Sequence, residues 1–239
     1  MPPNPPSALA RITRLVFYVW TAVGFLVVPL NLNEQRLRSA ITLSWITDPA
    51  ARLLSGSDAV WLWLGAFTTL IALSAEVSWR KAWRCALGLG GTAMLVELAG
   101  VSTGIPFGEY VYSDRLGPRL FGILPATIPA AWFIVVVNGH AVAPASRWRP
   151  LWVGLIALVT DLSLEIVAWK IRGYWRWYPG LASTPDWPPW QNYASWFGLG
   201  AVLDRLFLSP LAVRRLRWSS LGMLLAMNLL FWVTILCRF

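Results

Sequence analysis

The chain has 239 residues, of which 57% are hydrophobic and 13% charged, against about 45–50% and about 25% in soluble domains. With a mean hydropathy of +0.56, that balance excludes a soluble globule and points to an all-α, polytopic helix bundle in a membrane. The net charge of +9 sits in short loops between apolar runs, which reads as topology and lipid-headgroup contact rather than nucleic-acid binding.

A proline-rich tail leads through Arg11 and Arg14 into the first apolar run, near 12–30. It resembles a signal peptide but is long and lacks a small-x-small cleavage site, so it is read as a membrane anchor. Residues 40–54 are too short and interrupted to span and are expected along the interface. Further runs lie near 58–77, 84–101, 119–143, 151–169, 190–208 and 216–236. Each approaches the roughly 20 residues that cross the hydrocarbon, giving about seven transmembrane helices in a single domain, 1–239. Alternating loops place ten basic residues on the N-terminal side and nine on the other. That count decides nothing by the positive-inside rule. The short, acid-free loops beside the N-terminus favour a cytoplasmic N-terminus in a multi-pass protein of the cytoplasmic membrane.

Ionisable groups at membrane depth are costly and mark candidate sites. Glu97, Asp161, Glu165 and Asp204 qualify. Asp161 lies near the midplane, and Glu165 about 6 Å further along the same helix face. Glu97 lies near the same membrane half, followed by the loop T103-G-I-P-F-G-E-Y-V-Y112 with Glu109. The plainer alternative pairs Glu97 or Glu165 with Lys170 or Arg172. Asp204, beside Arg205, reads as structural, His140 as interfacial, and Asn228 as a hydrogen-bonding contact between helices.

Seventeen Trp fit an interfacial belt by default. From Tyr174 to Trp196 they are dense enough to wall an apolar ligand or shelter a cation over ring faces. Cys85 and Cys237 allow no disulfide framework, and one His excludes histidine-box di-iron and bis-histidine haem sites. G88-L-G-G-T-A93 lies inside an apolar helix with no strand before it, so small-residue helix packing explains it better than dinucleotide binding. No P-loop, GxSxG or NDxxD-type pair is present, and no Lys lies in the last run for a retinal Schiff base.

The segment E97-L-A-G-V-S-T-G-I-P-F-G-E-Y-V-Y112 resembles the signature of the membrane carotenoid hydratases, the γ-carotene 1′,2′-hydratase and bisanhydrobacterioruberin hydratase family. The blocks L116-G-P-R-L-F-G-I-L-P-A-T-I-P-A-A-W132, D161-L-S-L-E165, G173-Y-W-R-W177 and Asn192 with Trp196 follow in the expected order, over roughly 90–200. The chain departs from the family's usual Asp-Pro and Gly/Tyr-rich turn, having Glu165-Ile and S183-T-P-D-W-P-P-W190 instead. That departure bears on the substrate more than on the chemistry.

The resemblance implies addition of water across the terminal C1′=C2′ bond of an acyclic carotenoid, giving a tertiary alcohol with no redox cofactor and no metal. The substrate would arrive laterally from lipid, and other carotenoid-pathway enzymes become candidate partners. The residues suit this chemistry. An Asp161/Glu165 pair sharing one proton supplies a donor, with Asp161 as the first choice, and Glu97 or Glu109 handles the water. Tyr110, Tyr112, Trp132, Tyr174, Trp175, Trp177, Asn192 and Trp196 form the expected pocket wall. Two other readings stay open: an end-group cyclase using the same protonation, and a non-catalytic polyisoprenoid binder or transporter.

Overall fold

A computed structural model describes residues 8–30, 32, 34–41, 43–178 and 187–238. The proline-rich tail and residues 183–186 of the departing segment therefore lie outside the described residues. Among those described, eight α-helices carry the chain. They are α1 (Ala8–Val27), α2 (Glu34–Ala40), α3 (Ser44–Val77), α4 (Trp79–Thr103), α5 (Thr127–Val142), α6 (Arg149–Ile166), α7 (Trp190–Leu203) and α8 (Arg217–Leu236). Five segments are long and apolar enough to cross a membrane: α1, α3, α4, α8, and α6 with its continuation to Arg172. Helix α5 is apolar but has 16 residues, and α7 runs on as a π-helical segment, Asp204–Leu208. The seven expected spans are thus five long helices and two shorter helical segments.

Two expectations need correction. Residues 44–54 do not form a separate interfacial piece; they are the opening turns of α3, a continuous 34-residue helix containing Pro49 and about 51 Å long. The run expected from 119 does not begin as a helix. Arg119–Leu120 (β2) pairs with Leu124–Pro125 (β3), because Pro118, Gly122 and Pro125 disfavour helix and Phe121 and Gly122 turn the chain with φ of 52° and 75°.

Small residues set the closest helix approaches, as expected where lipid gives no hydrophobic drive for association. A Cβ on Gly154 would come within 2.5 Å of the Phe197 carbonyl, and one on Gly200 within 2.9 Å of Ala157, so α6 and α7 meet nearly backbone to backbone. Gly88 takes the edge of Phe207, where a Cβ would stand 2.6 Å from the ring. Helix α4 ends at Gly104, whose left-handed φ of 75° returns its N–H to the Gly100 carbonyl, the usual glycine stop. Helix α6 continues as a π-helical segment, Val167–Arg172, ending at Gly173. Beyond these two ends, Tyr110–Tyr112 (β1) pairs antiparallel with Trp175–Trp177 (β4). This ribbon ties the ends of α4 and α6 together and closes one end of the bundle.

Candidate active site

Strand side chains alternate between faces, and in the β1–β4 ribbon that alternation sorts the site. Tyr110 stands opposite Trp177 and Tyr112 opposite Trp175. These rings turn toward the bundle, while Val111 and Arg176 are exposed. Ring centroids are 5.1 Å apart for Tyr110 and Trp177 and 6.0 Å for Tyr112 and Trp175. The tyrosines serve one carboxylate and the tryptophans another. Tyr110 and Tyr112 hydroxyls donate to Glu97 Oε2 at 2.7 and 2.9 Å, and Trp132 Nε1 donates to Oε1 at 2.8 Å. Trp175 and Trp177 Nε1 donate to Glu165 Oε1 at 2.8 and 2.6 Å. Gly100 makes this approach possible, since a Cβ there would lie 2.6 Å from Phe107 and 3.1 Å from the Tyr110 hydroxyl. Burial, and then the charge of Glu97, push both tyrosine hydroxyls above their ordinary range, so they remain neutral donors.

One turn before Glu165 on α6 lies Asp161. Asn192, on the first turn of α7, bridges the two: its Nδ2 donates to Asp161 Oδ2 at 2.8 Å and to Glu165 Oε2 at 3.3 Å. Both carboxyls are fully buried, and Asp161 Oδ1 has no hydrogen-bond partner. Among the described residues, no ion pair involves Glu97, Asp161 or Glu165. The plainer pairing with Lys170 or Arg172 is therefore absent. Arg172 instead pairs with Asp58 of α3, through Nε at 3.1 Å and a close Nη2 contact. Tyr174, beside them, has its hydroxyl pushed up by burial and then by Asp58.

Glu97 and Glu165 face one apolar cavity with a free volume of about 70 Å³. Trp132 and Trp196 stack on its wall with centroids 4.3 Å apart, and Phe107 meets Tyr110 edge to face. All eight expected wall residues, Tyr110, Tyr112, Trp132, Tyr174, Trp175, Trp177, Asn192 and Trp196, line it. Asp161 stands behind the wall, reached through Asn192 and Glu165.

Glu109 does not join them. It is exposed, one residue before β1 on the outward register with Val111, and its backbone carbonyl accepts from Tyr178 N, just beyond β4, at 2.9 Å. Motif proximity suggested a role, but strand alternation turns the side chain away. His140 lies in the last turn of α5. It is buried, with Nδ1 2.6 Å from Asp204 Oδ1 and Nε2 3.2 Å from both the Leu211 carbonyl and Arg149 Nη1. Asn228 links helices, accepting from Ser163 Oγ at 2.9 Å. Sequence reasoning missed Asp58, whose only signal was an acid at the margin of an apolar run. Trp187 and Trp190 are exposed, as a belt requires, so the dense tryptophan stretch divides between wall and belt.

The fold and the cavity together define a membrane-embedded helix bundle holding buried carboxylates in an aromatic, apolar chamber. Residues 57–238 match the family described as carotenoid biosynthesis protein, and the chain belongs to that family. It is also similar to the bisanhydrobacterioruberin hydratase of Haloarcula japonica, 34% identical over 122 residues, a match covering 47% of this chain and 40% of the relative. The chain thus matches less than half of that relative's length. No solved structure matches it.

Proposed function

We propose that this chain hydrates the terminal C1′=C2′ bond of an acyclic carotenoid that enters its cavity from the lipid phase. The observation that carries this reading is the placement of Glu97 and Glu165 on one apolar cavity, with no ion pair to either among the described residues, and of Asp161 behind Glu165. Two carboxyls so close do not both ionise readily, so the Asp161/Glu165 pair holds one proton. Glu165 is the member that faces the substrate. Proton transfer from the pair to C2′ forms the new C–H bond and leaves a tertiary cation at C1′. Tryptophan and tyrosine faces shelter that cation, each desolvated contact contributing roughly 2 kcal/mol or more. Water held by Glu97 then attacks C1′, forming the C–O bond and giving its proton to Glu97. Transfer of that proton back to the pair, through water in the shared cavity, completes the cycle with no net change in the protein. Tyr110, Tyr112 and Trp132 fix the Glu97 carboxylate, as Trp175 and Trp177 fix Glu165.

The test is expression in a bacterium accumulating lycopene or γ-carotene, with pigments separated and weighed by mass spectrometry. A product heavier by one water supports hydration, with Asp161→Asn and Glu165→Gln lowering it by about 10²–10⁴-fold, the usual range for a positioned acid. An isomer of unchanged mass identifies a cyclase instead. Full activity in Asp161→Asn removes the paired donor from the mechanism.

A further inference from the structure

A second apolar cavity adjoins the first, with a free volume of about 200 Å³ between α1, α3 and α8. The two share Asp58, Trp61, Tyr174 and Phe231 as walls. Between them stand the rings of Trp61 and Phe231, edge to face at 5.9 Å. Helix α3 runs along both: Leu53 to Trp61 face the second cavity, and Asp58 to Leu62 the first. Nine residues of helix separate Leu53 from Leu62, about 13 Å at 1.5 Å per residue.

The second cavity's polar groups are already engaged. Thr21 Oγ1 accepts from Trp61 Nε1 at 2.8 Å, the Ser57 hydroxyl donates to the Leu54 carbonyl at 2.9 Å, and Asp58 is held by Arg172. What remains to a ligand is hydrocarbon surface. Val23 and Leu53 line this cavity yet are 52% and 57% exposed, so it opens on the outer flank of the bundle, where acyl chains lie. On its wall Gly24 presents no side chain, and a Cβ there would already touch Leu230 at 3.3 Å.

We propose that this second cavity seats the polyene chain of the carotenoid whose reacting end group lies between Glu97 and Glu165, the chain passing Trp61 and Phe231 and leaving to the lipid between α1 and α3, past Val23 and Leu53. The assignment rests on the hydratase reading for the identity of the ligand. A linear polyene is far longer than one cavity and carries no polar group to satisfy, so its shaft needs an apolar exit continuous with the reaction chamber. The β1–β4 ribbon closes the end of the bundle, and the shared wall of α3 supplies the continuation.

The test uses the full chain in lipid nanodiscs with two substrates, an acyclic carotenoid and a short acyclic isoprenoid bearing the same isopropylidene end. Two variants obstruct the second cavity: Gly24→Leu from within, and Val23→Trp at its exposed rim, where no packing is disturbed. For both variants, kcat/KM for the carotenoid is expected to fall at least about tenfold, while that for the short substrate stays within about twofold. Carotenoid retained through purification, read by its visible absorption, is expected to fall in parallel. Unchanged carotenoid turnover or retention in both variants overturns the assignment, as does an equal loss on both substrates. Retention by the wild-type chain that the variants abolish, without any hydrated product, keeps the seat and overturns the hydratase reading. A wild-type chain that neither retains nor converts the carotenoid overturns both.

Discussion

Glu97 and Glu165 are each held by three donors from separate parts of the chain, Glu97 by Tyr110, Tyr112 and Trp132 and Glu165 by Trp175, Trp177 and Asn192. A hydrogen bond to a charged group contributes about 1.5–3 kcal/mol, and here it also fixes where each oxygen points. Removing both indole donors from Glu165 with Trp175→Phe and Trp177→Phe leaves the rings but frees the carboxyl. The expected result is a folded protein whose hydration rate falls by at least about a hundredfold, since two donors are lost and each is worth at least about one factor of ten in positioning. Glu109→Gln provides the contrast: its exposed carboxyl takes no part in the cavity, and turnover should match the wild type. Pigment conversion per folded molecule checks both. A loss in Glu109→Gln equal to that of Glu165→Gln would restore the exposed acid to the mechanism.

At the scale of elements, the site depends on two junctions. The β1–β4 ribbon delivers the aromatic donors, and the contact of α6 with α7 delivers Asn192 to both carboxyls of α6. That contact is close because Gly154 and Gly200 have no side chains to hold the helices apart. Replacing Gly154 with Leu forces α7 outward against the Phe197 carbonyl, at a cost of about 1–3 kcal/mol for overpacking. The lower thermal midpoint in detergent should come with loss of hydration, because Asn192 no longer spans Asp161 and Glu165. Unchanged turnover in Gly154→Leu would show that the bridge is dispensable. The two π-helical segments start just beyond Glu165 and at Asp204. Such segments are frequent at functional positions, and the first redirects the chain from α6 into the strand carrying Trp175 and Trp177.

Across the whole molecule, buried polar groups also brace the helices away from the reaction site. His140 and Asp204 join α5 to the end of α7, remote from the cavity-lining residues, and Arg149 at the start of α6 reaches the same imidazole. Breaking a buried pair while leaving one partner typically costs about 3–5 kcal/mol. Asp204→Asn should therefore lower the thermal midpoint in detergent markedly while the hydration rate per folded molecule holds. A selective loss of rate at unchanged stability would place His140 in the chemistry instead.

The sequence by itself determined the solvent and the class of site. Long apolar runs demand helices in a membrane, because only helices or closed barrels satisfy their own backbone there. Acids within such runs stand out by their desolvation cost, which is why Glu97, Asp161 and Glu165 were legible, as was the ordered motif series shared with a family. Tertiary structure decided which side chains meet. Hydropathy ranks Glu109 with its neighbours, but strand alternation sends it outward while Tyr110 and Tyr112 turn in. It leaves His140 at the end of a run, and only the return of α7 supplies Asp204. It treats Asp58 as a boundary residue, whereas Arg172, at the end of the π-helical continuation of α6, pairs with it. It could not foresee a second cavity, because a void is set by what several helices fail to fill between them, and no single stretch of chain encodes that.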